Sequence, residues 1–128
     1  MSGGPTIAED ARLESDISDA MVRLYSEYYG HDRTTATSYI NDEVVLCLLQ
    51  RSIDKHEQDE IAEGRGAKVI RKRVAFQVGE EDNFSREIEG LTGRRVIAFL
   101  SANQTSLDFA AELFVLDGPP RRHETGRP

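Results

Sequence analysis

At 128 residues, with 23 acidic side chains against 16 basic ones and a formal net charge of -7, the chain reads as a single domain. That charge makes it a poor ligand for nucleic acid or an anionic bilayer, since both are bound by neutralising phosphates. No apolar run approaches the roughly 20 residues of a membrane span. The opening Met1-Ser2-Gly3-Gly4-Pro5 lacks the regions of a signal peptide, and the lone Cys47 cannot form an intrachain disulfide, so a cytoplasmic protein without direct membrane insertion is expected.

Residues 1–5 are small and are expected to be flexible. Thr6-Ile7-Ala8-Glu9 has the form of a capping box, which places Thr6 as the cap of a helix. Leu13, Ile17, Ala20, Met21, Leu24, Tyr25 and Tyr28 then recur at helical spacing and form one apolar stripe, and Gly30 is placed to end the helix. Tyr25 and Tyr28 on this stripe, with Tyr29 beside them, form an aromatic cluster suited to core or interface packing. Residues 34–40, rich in Thr with a Tyr and an Ile, predict a strand. Asn41-Asp42 predicts a turn, and residues 43–49 a second strand. The apolar run 44–49 is continuous rather than alternating. That fits either a central strand covered on both faces or one with a face covered by a partner subunit. Within that run Cys47 reads as a small buried hydrophobe.

Either Ser52 or Asp54 is placed to cap the next helix, which runs through Glu57, Glu60 and Glu63. Gly64-Arg65-Gly66 interrupts it. From Ala67 a longer helix is expected, with Ile70, Val74, Gln77, Phe84, Ile88 and Leu91 on one stripe. Gly79-Glu80-Glu81-Asp82-Asn83 is a candidate break that would divide it into two helices. Thr92-Gly93 ends the helical stretch, and Gly93 is expected at positive φ. Residues 96–101 predict a strand in which Val96, Ala98 and Leu100 share one face and Ile97 and Phe99 the other. A polar turn at 102–106 and a last strand over 109–116 follow, then Gly118-Pro119-Pro120 and a disordered tail, giving a tail over 118–128. The order helix, two strands, helices, two strands predicts an α+β domain over 6–117. Its helices pack on one face of a four-stranded, largely antiparallel sheet.

The most site-like segment is Gly64-Arg65-Gly66. Glycines before a helix let backbone N–H groups converge on an anion, and Arg65, with Arg94 and Arg95, would add donors for a carboxylate, phosphate or bicarbonate. The competing reading is a close helix crossing or turn that only glycine fits. Lys68, Arg71, Lys72 and Arg73 read as a solvated basic face paired with acids. His56 and Glu60, one turn apart, are too few ligands for a metal site, and none is expected. His31 follows the helix-ending Gly30, and His123 reads as solvated. The sequence holds no nucleophile motif, phosphate loop or HExxH pair. It is therefore read as non-enzymatic, with no cofactor.

Several collinear stretches resemble one bacterial family. They are residues 17–30 (ISDAMVRLYSEYYG), residues 39–49 (YINDEVVLCLL), Glu63-Gly64-Arg65-Gly66, Thr92-Gly93-Arg94-Arg95-Val96 and Phe114-Val115-Leu116. The family is the MpsC-like one, and the resemblance spans roughly residues 15–117. It implies an accessory role beside membrane proteins linked to sodium or inorganic-carbon transport and to generating a membrane potential. It implies no catalytic residues. The expected partners are a protein, such as a membrane transport subunit, and a second copy of the chain.

Overall fold

The computed structural model describes residues 7–121, in the order α1 (Ile7–Tyr29), β1 (Thr35–Asn41), β2 (Val44–Gln50), α2 (Lys55–Ala62), α3 (Gly66–Gly79), α4 (Glu81–Thr92), β3 (Val96–Gln104) and β4 (Phe109–Leu116). The expected cap Thr6, the flexible residues 1–5 and most of the expected tail, residues 122–128, lie outside the described residues.

The strands form one antiparallel sheet in the order β1-β2-β4-β3. Three helices cross from β2 to β3, and β4 then inserts between β2 and β3. This is the expected α+β fold, with the helices on one sheet face. Helix α1 buries Ile17, Ala20, Met21, Leu24 and Tyr25 against the sheet. Polar contacts fix its position: Ser18 Oγ lies 2.7 Å from Ser38 Oγ, and the Ile40 N–H donates to Glu14 Oε2 at 3.0 Å. Gly30 ends the helix at φ 73°, its N–H donating to the Ser26 carbonyl. Tyr28 departs from the expected stripe. It is 58% exposed, while Tyr29, off the stripe, packs against the core. The apolar arc is narrower than the spacing suggested, because the sheet meets only one side of the helix.

The β1–β2 turn is Asp42-Glu43, one residue later than expected, with Asp42 at φ 52° and Asn41 already paired with Val44. On β2 burial alternates. Val45, Cys47 and Leu49 face the helices and are fully buried, while Val44, Leu46 and Leu48 point the other way. Coverage on both faces is thus corrected to coverage on one. An apolar run is blind to the pleat, which turns alternate side chains to opposite faces.

Asp54, not Ser52, caps α2. Its carboxylate accepts the Glu57 N–H at 2.8 Å while Glu57 Oε1 accepts the Asp54 N–H. Helix α3 begins at Gly66 and buries Val69, Arg73, Phe76 and Gln77. Ile70 and Val74, placed on the core stripe by residue type, are exposed. The face is displaced by one residue because Arg73 is neutralised by Glu57, which lets a charged side chain occupy a core position. Helices α3 and α4 are separate and meet at Glu80. Phe84 and Ile88 of α4 are buried as expected.

Gly93 caps α4 at φ 68°. The strand after it carries a bulge between Val96 and Ala98. The bulge shifts the alternation, so Val96 pairs with the inward Leu116 and Phe99 with the inward Phe114, while Ala98 and Leu100 turn outward. Ile97, at the bulge, is 64% exposed. Val96 therefore does not share a face with Ala98 and Leu100 as expected. β3 also runs three residues further than expected, to Gln104. Beyond β4 the chain stays anchored. Pro120 is buried, and Arg121 bonds to the Thr92 and Gly93 carbonyls through its N–H and Nε.

Candidate functional site

Glu112 occupies the middle of β4 on the helix-facing side, flanked by Cys47 on β2 and Ser101 on β3, and is fully buried. Donors from three elements converge on it. The Tyr25 hydroxyl of α1 donates to Oε2, Gln77 Nε2 of α3 donates to Oε2 at 2.9 Å, and Ser101 Oγ of β3 donates to Oε1. Gln77 also exchanges hydrogen bonds with Asn103, at 2.8 and 3.2 Å. Burial raises the Glu112 carboxyl above its ordinary range, and the bonds from Ser101, Tyr25 and Gln77 pull it partly back. Burial likewise raises the Tyr25 hydroxyl and pushes the Cys47 thiol up to about 12. At neutral pH Cys47 is a thiol, not a thiolate, so it acts as packing.

A second buried cluster ties α3 to α2. Arg73 donates to Glu57 Oε1 at 2.9 Å and to Ser52 Oγ, and its guanidinium lies 4.9 Å from the centre of the Tyr29 ring. Desolvation raises the Glu57 carboxyl, and Arg73 opposes the shift. His31 reaches the same junction, with Nε2 3.2 Å from the Ser52 carbonyl. Glu57, Arg73, Gln77 and Glu112 are the polar residues that sequence reasoning did not single out as a constellation. Their signal was charge or amide at an inward position, legible only once the inward positions were known.

The Gly64-Arg65-Gly66 segment is a turn, with Gly64 at φ 85°. Its Gly64 and Arg65 N–H groups donate to the Ile61 and Glu60 carbonyls at the end of α2. Arg65 pairs with Glu63, and its Nε stands 3.8 Å from Glu60 Oε2. Glu60 is a buried carboxylate ringed by His56 at 2.8 Å, Lys68 at 3.8 Å and Lys72 at 3.9 Å. Arg94 and Arg95 lie at the start of β3. Arg94 Nε donates to the Pro119 carbonyl, and the Arg95 N–H to Asp117 Oδ1. Arg65 and Arg94 thus each bond to internal partners, at the end of α2 and beyond β4 respectively. Of the aromatic cluster, Tyr25 is committed to Glu112 and Tyr29 to the Arg73 junction. Tyr28 alone is a surface ring, 4.2 Å from Phe76 centroid to centroid.

One groove, of about 350 Å³, runs between α4 and the β3 edge. Glu81, Asp82, Arg86 and Glu89 line it, and Glu89 already accepts the Val96 N–H at 2.8 Å.

Among the described residues, no helix packs on the other sheet face. In register across the strands run Tyr39, Leu46, Leu113 and Leu100, with Asn41, Val44, Val115 and Ala98 on one side of that row and Thr37, Leu48, Ala111 and Ala102 on the other. Not one of these side chains is charged, in a chain with 30% charged residues. Leu100 is 58% and Tyr39 53% exposed.

Fold and surface together define a two-layer α+β domain, with a buried polar cluster in an apolar core and an apolar outer sheet face. The chain belongs to the MpsC family, described as a Na+-translocating membrane potential-generating system, which it matches over residues 9–118. No curated protein and no solved structure matches it. Among the described residues no helix is long and apolar enough to cross a membrane.

Proposed function

We propose that this protein is a non-enzymatic accessory protein that binds other polypeptides, on the cytoplasmic side of the membrane. One partner is a membrane component of the potential-generating system for which its family is described, and another is a second copy of the chain. The observation that carries the proposal is the outer sheet face, apolar across four strands and without a charge. Two further features support it. The groups best suited to chemistry, Glu112, Tyr25 and Cys47, are buried and bonded or packed within the fold. Family membership supplies the system in which such a surface would be used.

The test is capture from detergent-solubilised membranes of the source cell with purified tagged protein, the retained proteins being identified by mass. Wild type should hold a membrane protein that the Leu46→Glu/Leu113→Glu variant loses, with both proteins showing native circular dichroism. Identical captures by the two refute the proposal. An alternative reading, a small-anion module at Gly64-Arg65-Gly66, is separated by thermal shift with bicarbonate and phosphate. An anion at ~100 times its dissociation constant would stabilise by about 2.7 kcal/mol. Because Arg65 is already paired with Glu63, no shift is expected, and one that disappears in Arg65→Ala would transfer the function to that turn.

A further inference from the structure

We infer that the outer sheet face is closed by a second copy of this chain, sheet against sheet, with the twofold axis running across the strands. The inference rests on reading that face as a protein-binding surface and adds its occupant and geometry.

The shape of the face suits its own copy. Its centre is the Leu46–Leu113 pair on the two middle strands, flanked by Val44, Val115, Leu48 and Ala111. Polar but uncharged residues lie toward its ends, Asn41 at one and Thr35, Gln50 and Gln104 at the other. An apolar centre with an uncharged polar rim is the anatomy of a protein interface. Two copies of a chain charged -7 would repel through most surfaces, and this one lets them meet without burying a charge.

The area suffices. Four strands about 4.8 Å apart and seven residues at about 3.4 Å each give roughly 450 Å² in plan. Two such faces remove ~900 Å² before side-chain relief is counted, close to the roughly 1,000 Å² that a stable interface needs.

Charge then selects the orientation. The β1–β2 hairpin carries the exposed acids Asp42 and Glu43 at its turn, and the exposed Arg33 and Arg51 flank its other end. With the axis across the strands, each hairpin lies over its copy with ends reversed. Acids then stand over arginines, twice by symmetry. With the axis along the strands, the same turn would lie over the end that carries Asp117 together with Arg94 and Arg95, so the acids would meet both signs of charge. Aligned sheet packing near -30° keeps the opposed ends within reach of an arginine side chain.

Sedimentation equilibrium from ~1 to ~100 µM, the range in which modest interfaces associate, tests this. The expected mass is twice the 14.3 kDa of the chain. Leu113→Glu should weaken the dimer by about tenfold or more, since it would bury an unpaired charge at the interface centre. If Leu113→Glu fails to fold, Leu100→Glu on the exposed edge strand replaces it, with melting curves as the control. Arg51→Glu should weaken the dimer, and adding Glu43→Arg should restore it. A 14.3 kDa mass throughout, or a dimer indifferent to both face variants, overturns the inference. Failure of the charge swap to restore association overturns the axis. A monomer whose Leu113→Glu variant still loses the membrane partner sinks this inference but leaves the protein-binding role standing. A dimer whose face variants capture the same membrane proteins does the reverse.

Discussion

Replacing Tyr25 with Phe deletes one oxygen from the centre of the core and nothing else. Tyr25 is fully buried, and its ring contacts, edge-on to Phe76 at 5.0 Å and stacked on Phe84 at 6.0 Å, survive in Phe. What is lost is the donor to Glu112 Oε2, which keeps Gln77 on that oxygen and Ser101 on the other, and the acceptor of a 3.2 Å bond from Gln77 Nε2. A hydrogen bond contributes about 0.5–1.5 kcal/mol to a neutral acceptor and about 1.5–3 kcal/mol to a charged one, and the remaining donors hold the loss to ~2 kcal/mol where Glu112 is ionised. For a domain of this size ~2 kcal/mol is a fall of roughly 6–12 °C in melting temperature. The loss should also depend on pH. Glu112 holds its proton more tightly folded than unfolded, because burial raises it above its ordinary 4.5. Wild-type stability contributed by this group is therefore full below about 4.5 and declines as pH rises toward the folded value. The Tyr25 bond lowers that folded value, so its removal raises it and deepens the decline. Urea melts should show the loss in Tyr25→Phe relative to wild type growing as pH rises above about 4.5. A loss under ~0.5 kcal/mol at every pH, or one larger at pH 4 than at pH 7, would refute the assignment of Glu112 as a buried acceptor of this hydroxyl.

Arg73→Met should cost about 3–5 kcal/mol by leaving Glu57 buried without its cation, and adding Glu57→Leu should recover much of it; additive denaturation free energies would rule out the pairing. Gly93→Val should destabilise by ~1 kcal/mol or more, because Gly93 sits at φ 68° and a Cβ there would stand 2.9 Å from the Arg121 side chain. Gly79→Ala, at the last turn of α3 with no atom within 4 Å of an added Cβ, should instead stabilise by roughly 0.5 to 1 kcal/mol; the opposite signs in urea melts would disprove the placement of both glycines. The Cys47 thiol, pushed up to about 12 by burial, should resist a disulfide reagent at pH 8 in the native protein and react at once in denaturant; fast native labelling would show that β2 opens.

The local rules that act within a few residues were legible in the sequence. Helix α1 follows from the spacing of Ile17, Met21, Leu24 and Tyr25, and Gly30 and Gly93 end their helices because only glycine adopts positive φ there cheaply. Asn41-Asp42 and the Thr-rich run before it foretold a hairpin to within one residue, because turn chemistry is local. The family was legible too, since it rests on collinear segments rather than on contacts.

What the tertiary structure decided was which side of each element faces inward. Val44 to Leu49 is apolar at every position, so its composition holds no record of the pleat; only pairing between β1 and β4 shows that Val45, Cys47 and Leu49 face the helices. The bulge at Ile97 reverses the alternation of β3, and a bulge is a fact about two strands, not one. Arg73 and Glu112 look like surface residues by type, and each is buried because partners 16 and 87 residues away in the chain, Glu57 and Tyr25, satisfy it. The desolvation that makes an unpaired charge impossible in a core is cancelled by a neighbour that folding supplies. The open sheet face arises in the same way: leucines on three strands, each ordinary in sequence, become one surface only when β4 inserts between β2 and β3.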